Sequence, residues 1–290
     1  MNEIVVLSGK GGTGKTSITG ALASVAEEKV VFADSDVDAS NLHLILGDEI
    51  IKQSEFSSGY IATVDSYLCT GCNICEQECA YDSIHVQNKR AFVDTMFCEG
   101  CGLCAKLCPE KAISMDDLVA GNIIYYKTRF GIPLLGASMT AKRERSGKLV
   151  SEVKSKAREM CKESSADYLL VDGPPGIGCP AIASLGGANY IILVTEPTLS
   201  GFEDLKRVFS LIKFFRIKTG IIINKSDINE TIADDIKAFA EENRSIILDE
   251  FRFDSIFIKS VRNRKTVSEE SKEMKVKIEN LWKKIKEEAK

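Results

Sequence analysis

Residues 9–16 read Gly9-Lys10-Gly11-Gly12-Thr13-Gly14-Lys15-Thr16, and no other stretch restricts the fold as much. An apolar run, Glu3 to Leu7, precedes it, and helical periodicity from Thr16 to Ala26 follows. The stretch fits G-x-x-x-x-G-K-[ST] in the strand–loop–helix setting that gives this pattern physical meaning. Glycines let backbone N–H groups close around phosphate oxygens, and the helix N-terminus adds a favourable dipole. Lys15 is expected to reach the β- and γ-phosphates and Thr16 to ligate Mg²⁺. Gly9, Lys10, Gly11, Gly12, Thr13, Gly14 and Ser17 complete the candidate nucleotide-binding loop.

Apolar runs recur at Val30–Ala33, Ile123–Tyr126, Leu134–Ala137, Tyr168–Val171, Ile191–Val194, Ile221–Ile223 and Ile246–Leu248. Helical patterns lie at Asn41–Leu46, Gly147–Lys162, Leu199–Phe215 and Ile228–Glu242. Such alternation predicts an α/β fold with a mainly parallel sheet covered by helices on both faces. Between Ile50 and Ser58 the pattern weakens and reads as a polar linker. A Cys-rich segment, residues 59–117, then interrupts residues 1–58 and 118–290, and is expected to be an inserted small α+β domain.

The loop form K-G-G-T-G-K-T, with Lys10 ahead of Lys15, resembles the deviant phosphate loop of the MinD/ParA/Mrp class of ATPases, to which nitrogenase iron protein also belongs. That resemblance implies a homodimer sandwiching nucleotide, with Lys10 reaching the partner's phosphates. Asp34-Ser35-Asp36-Val37-Asp38 resembles switch I, which gives Asp36 the role of orienting the attacking water and Asp34 that of supporting loop and magnesium. No role attaches to Asp38. Tyr168 to Gly176 resembles a Walker B strand entering switch II: Asp172 holds a magnesium-bound water and the Gly176 N–H meets the γ-phosphate. Asn224-Lys225-Ser226-Asp227 reads two ways, as the adenine-contacting asparagine of the MinD type or as the N-K-x-D by which GTPases read guanine; Lys10 and Pro174-Pro175-Gly176 favour ATP. Asp249 to Asp254 resembles the loop beside the base, but Arg252 stands where proline is usual, so no role is carried onto it.

Eight of the ten cysteines form two quartets. Cys69, Cys72, Cys75 and Cys79 have the spacing C-x₂-C-x₂-C-x₃-C, and adding 29 gives Cys98, Cys101, Cys104 and Cys108. Structural zinc prefers two pairs of ligands, and disulfides do not suit a chain without an export signal. The spacing is similar to that of bacterial two-cluster ferredoxins, where the fourth cysteine ligates the other cluster. The resemblance implies one [4Fe–4S] cluster on Cys69, Cys72, Cys75 and Cys108, and another on Cys98, Cys101, Cys104 and Cys79. Ala80 replaces the proline found after Cys108. Short apolar stretches at Ile84–Val86, Ala91–Val93 and Ala112–Met115 are expected to cover the clusters.

Several residues invite less. Cys161 falls on an apolar helix face and reads as core; Cys179, seven residues past Asp172, is either an inert small residue or has a redox or cluster role. His43 and His85 stand singly, and Lys142-Arg143-Glu144-Arg145 reads as a solvated loop or a docking site. Met274, Ile278, Leu281 and Ile285 share a helical face expected to pack on the sheet rather than on membrane. The net charge of −4 gives no general attraction to nucleic acid or anionic lipid. With no signal-like N-terminus or long apolar run, the expected location is cytoplasmic. Three functions are consistent with these features: a MgATP-driven dimeric switch gating electron transfer to a partner, an ATP-dependent carrier or assembly factor for a metal–sulfur centre on a client protein, and a ParA/MinD-like positional ATPase whose clusters sense redox state.

Overall fold

The computed structural model describes residues 1–139 and 146–290, so the Lys142–Arg145 stretch lies outside the described residues. The chain divides into two units, Met1–Ser54 with Gly121–Lys290, and Glu55–Ala120.

In the larger unit, β1 (Asn2–Ser8) leads through the Gly-rich loop into α1 (Lys15–Ala23), followed by β2 (Val30–Asp34) and α2 (Leu42–Leu46). The chain leaves along β3 (Glu49–Val64). The smaller unit contributes α3 (Ile74–Gln77), β4 (Ile84–Gln87), β5 (Arg90–Val93) and α4 (Leu103–Leu107). β6 (Ile113–Lys127) carries the chain back to β7 (Pro133–Met139), α5 (Ser146–Ser164), β8 (Tyr168–Pro175), α6 (Cys179–Leu185), β9 (Tyr190–Thr195) and α7 (Leu199–Phe215). Then come β10 (Lys218–Asn224), α8 (Glu230–Glu242), β11 (Ile246–Phe251), α9 (Ile256–Arg262), α10 (Val267–Glu270) and α11 (Lys272–Glu288).

Among the described residues, nine strands form one sheet in the order β11-β10-β9-β1-β8-β2-β7-β6-β3. Pairs from β11 to β7 are parallel and β6 is antiparallel to β7. Ile4 and Val6 face one side of β1, Val5 and Leu7 the other, and all four are buried, as a strand covered on both faces requires. On one face, Ile18 and Leu22 of α1 and Ile278, Leu281, Trp282 and Ile285 of α11 join Ile4, Val6, Phe32 and Ile222 in a single apolar core. The C-terminal amphipathic face is therefore spent on the sheet. α5 buries Leu149, Val150, Val153, Ala157 and Cys161, and burial pushes the Cys161 thiol up to about 11. No described helix is long and apolar enough to cross a membrane.

The polar linker expected at Ile50–Ser58 is instead part of β3, a 16-residue strand. Its residues are mostly exposed, so backbone pairing at the sheet edge holds it without the apolar alternation that sequence reading relies on. β6 likewise runs ten residues further back than Ile123, through Asp116 and Asp117, whose exposed acids read as a break.

A buried ion triad ties β1 to α5. Glu3 and Lys154 are each 1% exposed; Lys154 Nζ lies 2.7 Å from Glu3 Oε1, and Arg158 forks onto the same carboxylate at 2.6 and 3.0 Å. Breaking a buried pair from one side costs about 3–5 kcal/mol because the other charge stays behind. Glu3→Ala is expected to lose that much in urea unfolding. Lys154→Met should cost less, because Glu3 keeps Arg158.

Candidate functional site

Parallel pairing places Asp34 opposite Asp172, at the C-terminal ends of neighbouring strands, with both side chains buried. The Gly-rich loop leaves β1 next door, where the chain crosses over β8 to reach β2, the crevice in which open α/β sheets bind ligands. Asp172 gathers the loop's helix: Lys15 Nζ at 2.9 Å, Thr16 Oγ1 at 2.7 Å and Thr19 Oγ1 at 3.0 Å. Asp34 accepts from Ser40 Oγ at 2.8 Å, from the Asn41 and Leu42 N–H groups at 3.0 Å, and from the Asp36 N–H at 3.1 Å. It thereby fixes the turn between β2 and α2. Burial first, and Asp172 second, push Asp34 up to about 7, against those donors and Lys15. Burial also raises Asp36; Lys15 opposes this, while Asp172 and Asp38 add to it. A cation between Asp34 and Asp172 would relieve both repulsion and burial cost. Thr13 Oγ1 is buried without a hydrogen-bond partner among the described residues, a polar atom that a phosphate oxygen would satisfy.

Two expected contacts are otherwise engaged here. The Gly176 N–H donates to Ser8 O at 2.8 Å, so meeting a γ-phosphate requires its release. Lys10 is held within its own chain by Glu196 Oε1 at 2.7 Å, Ser200 Oγ at 3.1 Å and Thr198 Oγ1 at 3.3 Å. Glu196, which sequence reading missed, also pairs with Lys225 at 2.8 Å. A single acid with partners far along the chain leaves no local signature.

Beside the loop lies a cavity of about 390 Å³ lined by Gly12, Gly14, Ser17, Asn224, Phe253 and Phe257, among others. Asn224 Nδ2 donates to Thr13 O at 2.7 Å and touches Gly14. A Cβ on Gly14 would sit 2.3 Å from that nitrogen, and φ is +91°, so only glycine suits the position. Asp227 accepts the Phe253 N–H at 2.6 Å and lies 3.7 Å from Arg252. That carboxylate anchors the Phe253 loop. Arg252, 81% exposed on its side chain, does not line the cavity, whereas its neighbour Phe253 does.

In the smaller unit the 29-residue repeat is written in the backbone. Left-handed residues recur at Gly71 and Gly100, Asn73 and Gly102, and Asp82 and Lys111. The Asp65 N–H bonds Ala112 O, and its equivalent, the Asp94 N–H, bonds Ser83 O, so each repeat closes on the other. The cysteines accordingly mix. Cys69, Cys72, Cys75 and Cys108 line one cavity; Cys79, Cys98, Cys101 and Cys104 line another. Ile84, Ala91 and Ile113 pack around the sulfurs, and β4 pairs with β5. N–H groups of Ala91, Ser83 and Ala112 donate to Cys69, Cys79 and Cys108 sulfurs at 3.3–3.4 Å. Burial raises the Cys75 and Cys104 thiols, and neighbouring cysteines add to it. Among the described residues no three His, Cys, Asp or Glu side chains converge on a single metal ion. Each cavity is instead lined by four cysteines, which suits a polynuclear group binding each cysteine at a different metal. Cys179 is exposed at the first residue of α6. His43 stacks on Tyr126 at 4.9 Å, and His85 lies 3.7 Å from Glu76.

Comparison with known proteins places these features in context. The sequence profile described as the CobQ/CobB/MinD/ParA nucleotide binding domain matches residues 4–277. An uncharacterized protein of Methanocaldococcus jannaschii is 33% identical over 229 residues, covering 78% of this chain and 79% of that protein. The septum site-determining protein MinD of Thermotoga maritima is 25% identical over 268 residues, covering 85% and 78%. Among solved structures, Pyrococcus horikoshii MinD complexed with Mg-ADP superposes with a TM-score of 0.56 at 18% identity, covering 98% of this chain and 95% of that one.

Proposed function

The chain belongs to the CobQ/CobB/MinD/ParA nucleotide-binding family, and from that membership we propose that it is a MinD/ParA-like MgATP-hydrolysing switch whose Cys-rich unit carries two [4Fe–4S] clusters. The observation carrying the ATPase reading is Asp172, on which Lys15, Thr16 and Thr19 converge beside Asp34. In the resting arrangement Asp172 neutralises Lys15. Phosphates in the loop would compete with Asp172 for Lys15; Thr16 would ligate Mg²⁺ and Asp172 would hold a magnesium-bound water. Asp36, on the turn that Asp34 holds, orients the attacking water. Asn224 and the Phe253 cavity take the base; adenine is favoured because Asp227 is not among the residues that line the cavity. Dimerisation across the nucleotide calls on Lys10, which must first leave Glu196.

The cluster reading is supported by the two four-cysteine cavities and their N–H···S bonds. Cys69, Cys72, Cys75 and Cys108 would hold one cluster and Cys79, Cys98, Cys101 and Cys104 the other. Such clusters supply one-electron redox chemistry when bound. Their simplest use on a MinD/ParA-like switch is redox sensing. A second reading, nucleotide-gated electron transfer to a partner, is favoured by exposed Cys72 and Cys101, equivalent positions that give each cavity an edge open to solvent.

Asp36→Ala is the first test of the switch. It is expected to keep MgATP binding while cutting phosphate release by about a hundredfold, in the range for losing a water-activating group. Light scattering should then show an ATP-stabilised dimer. Full turnover in Asp36→Ala, or no ATP hydrolysis by the unaltered chain, would reject the reading.

A further inference from the structure

The larger unit contains a second concavity, about 260 Å³, lined by Lys213, Arg216, Lys218 and Arg244 together with Asn243. Four cations in one hollow, with no acid among the lining residues, reverse the sign of a chain whose net charge is −4. The hollow sits where α7 ends, β10 begins and α8 turns into β11. β10 has seven residues from Lys218 to Asn224, so about 20 Å at roughly 3.3 Å per residue separates this hollow from the nucleotide end of the strand.

Basic residues near helix C-termini often serve the last carbonyls. Here the backbone already does so: the Arg216 N–H bonds Lys213 O at 3.1 Å, the Arg244 N–H bonds Glu241 O at 3.0 Å and the Ser245 N–H bonds Ala240 O at 2.8 Å. Among the described residues, no hydrogen bond or ion pair engages the Arg216 or Arg244 guanidinium or the Lys218 ammonium, and Lys213 Nζ reaches only Asn243 Oδ1 at 3.5 Å. Arg216 and Arg244 also hold left-handed φ of 57° and 54°, where glycine or asparagine is less strained. Long cationic side chains thus stand at turn positions that do not favour them, around a hollow lined by no acid.

We propose that this hollow binds a small anion carrying one or two phosphate groups, independently of the nucleotide loop. Two guanidinium forks match phosphate oxygens bidentately, and the lysines add point charge. Exposed Glu241 and Glu242, on the last turn of α8 beside Asn243, would repel a polyanion extending past the hollow more than an anion confined to it.

The test is equilibrium dialysis of labelled pyrophosphate against the full chain, saturated with ADP and free of magnesium, at low and at high salt. One equivalent should bind at low salt and weaken as salt screens the cations. Arg216→Gln/Arg244→Gln should weaken it by at least about tenfold, as expected for losing charge-assisted forks. Lys213→Gln/Lys218→Gln should weaken it too, and unchanged circular dichroism in either pair shows the fold intact. Because these variants read the hollow directly, the result stands whether or not ADP occupies the loop. No retained pyrophosphate at low salt, or wild-type binding in both pairs, overturns the proposal. Displacement of pyrophosphate by a short DNA duplex or an acidic peptide of higher affinity overturns the small-anion assignment in favour of a macromolecular partner.

Discussion

Cys108→Ser is expected to remove about four of roughly eight iron atoms, the content of two [4Fe–4S] clusters, from anaerobically purified protein, and to spare the cluster on its own triplet's side. The reason is the crossing of the repeats. Cys108 follows Cys104 by four residues, yet it lines the cavity of Cys69, Cys72 and Cys75. The backbone enforces this: Asp65 bonds Ala112 O, pulling the start of the first repeat onto the end of the second, and the Ala112 N–H points at the Cys108 sulfur from 3.3 Å. Cys79→Ser should mirror the result and leave the Cys69 group loaded. Iron and labile-sulfide assays, with electron paramagnetic resonance of the reduced protein, distinguish the two half-loaded forms. If Cys108→Ser and Cys104→Ser damaged the same cluster, the crossed assignment would fail. Stoichiometric zinc without sulfide in the unaltered chain would remove the cluster reading altogether.

The 29-residue repeat was legible in the cysteine spacing and returns as equal left-handed turns at Gly71 and Gly100, whereas the crossing of the fourth cysteines came only from the resemblance to two-cluster ferredoxins. The strand–loop–helix around the Gly-rich stretch was legible because its glycines, Lys15 and Thr16 lie within one local turn. What was not legible depends on distant partners. Glu196 meets Lys10 and Lys225 only after three strands have been set side by side. Phe253 lies in the stretch that resembles the loop beside the base, but Phe257, just past it, carries no signal of its own, and only the cavity beside Asn224 gives it a purpose. β3 escaped notice because its side chains are largely solvated and its stability comes from backbone pairing. The basic hollow combines residues from two helix ends and a strand start, and in sequence those cations look like ordinary surface charge.

Lys15→Ala is expected to weaken MgATP binding by at least about a hundredfold, or ~2.7 kcal/mol. Lys15 is 6% exposed and sits 2.9 Å from Asp172. Within the loop the other cation, Lys10, is already paired with Glu196. Removing Lys15 forfeits its charge-assisted bonds to phosphate, about 1.5–3 kcal/mol. It also leaves Asp172 facing Asp34 with no ammonium between them and the incoming anion. Both effects oppose binding. The same deletion destabilises the empty protein, by about 3 kcal/mol if Asp172 behaves as a buried acid stripped of its partner, although Thr16 and Thr19 still donate to it. Binding and stability are separated by following the unfolding midpoint against MgATP. A ligand that binds only the folded state stabilises it by RT ln(1 + [L]/Kd), about 2.7 kcal/mol at a hundred times Kd. The unaltered chain should therefore climb with MgATP, whereas Lys15→Ala starts lower and stays flat over the same range. Asp172→Asn gives the complementary result: it frees Lys15 for phosphate but weakens the magnesium site, so nucleotide should stabilise it with little dependence on Mg²⁺. A Lys15→Ala midpoint that climbed like the unaltered chain's would mean that the loop's phosphate contacts are made by backbone N–H groups alone, and that Lys15 serves only to neutralise Asp172.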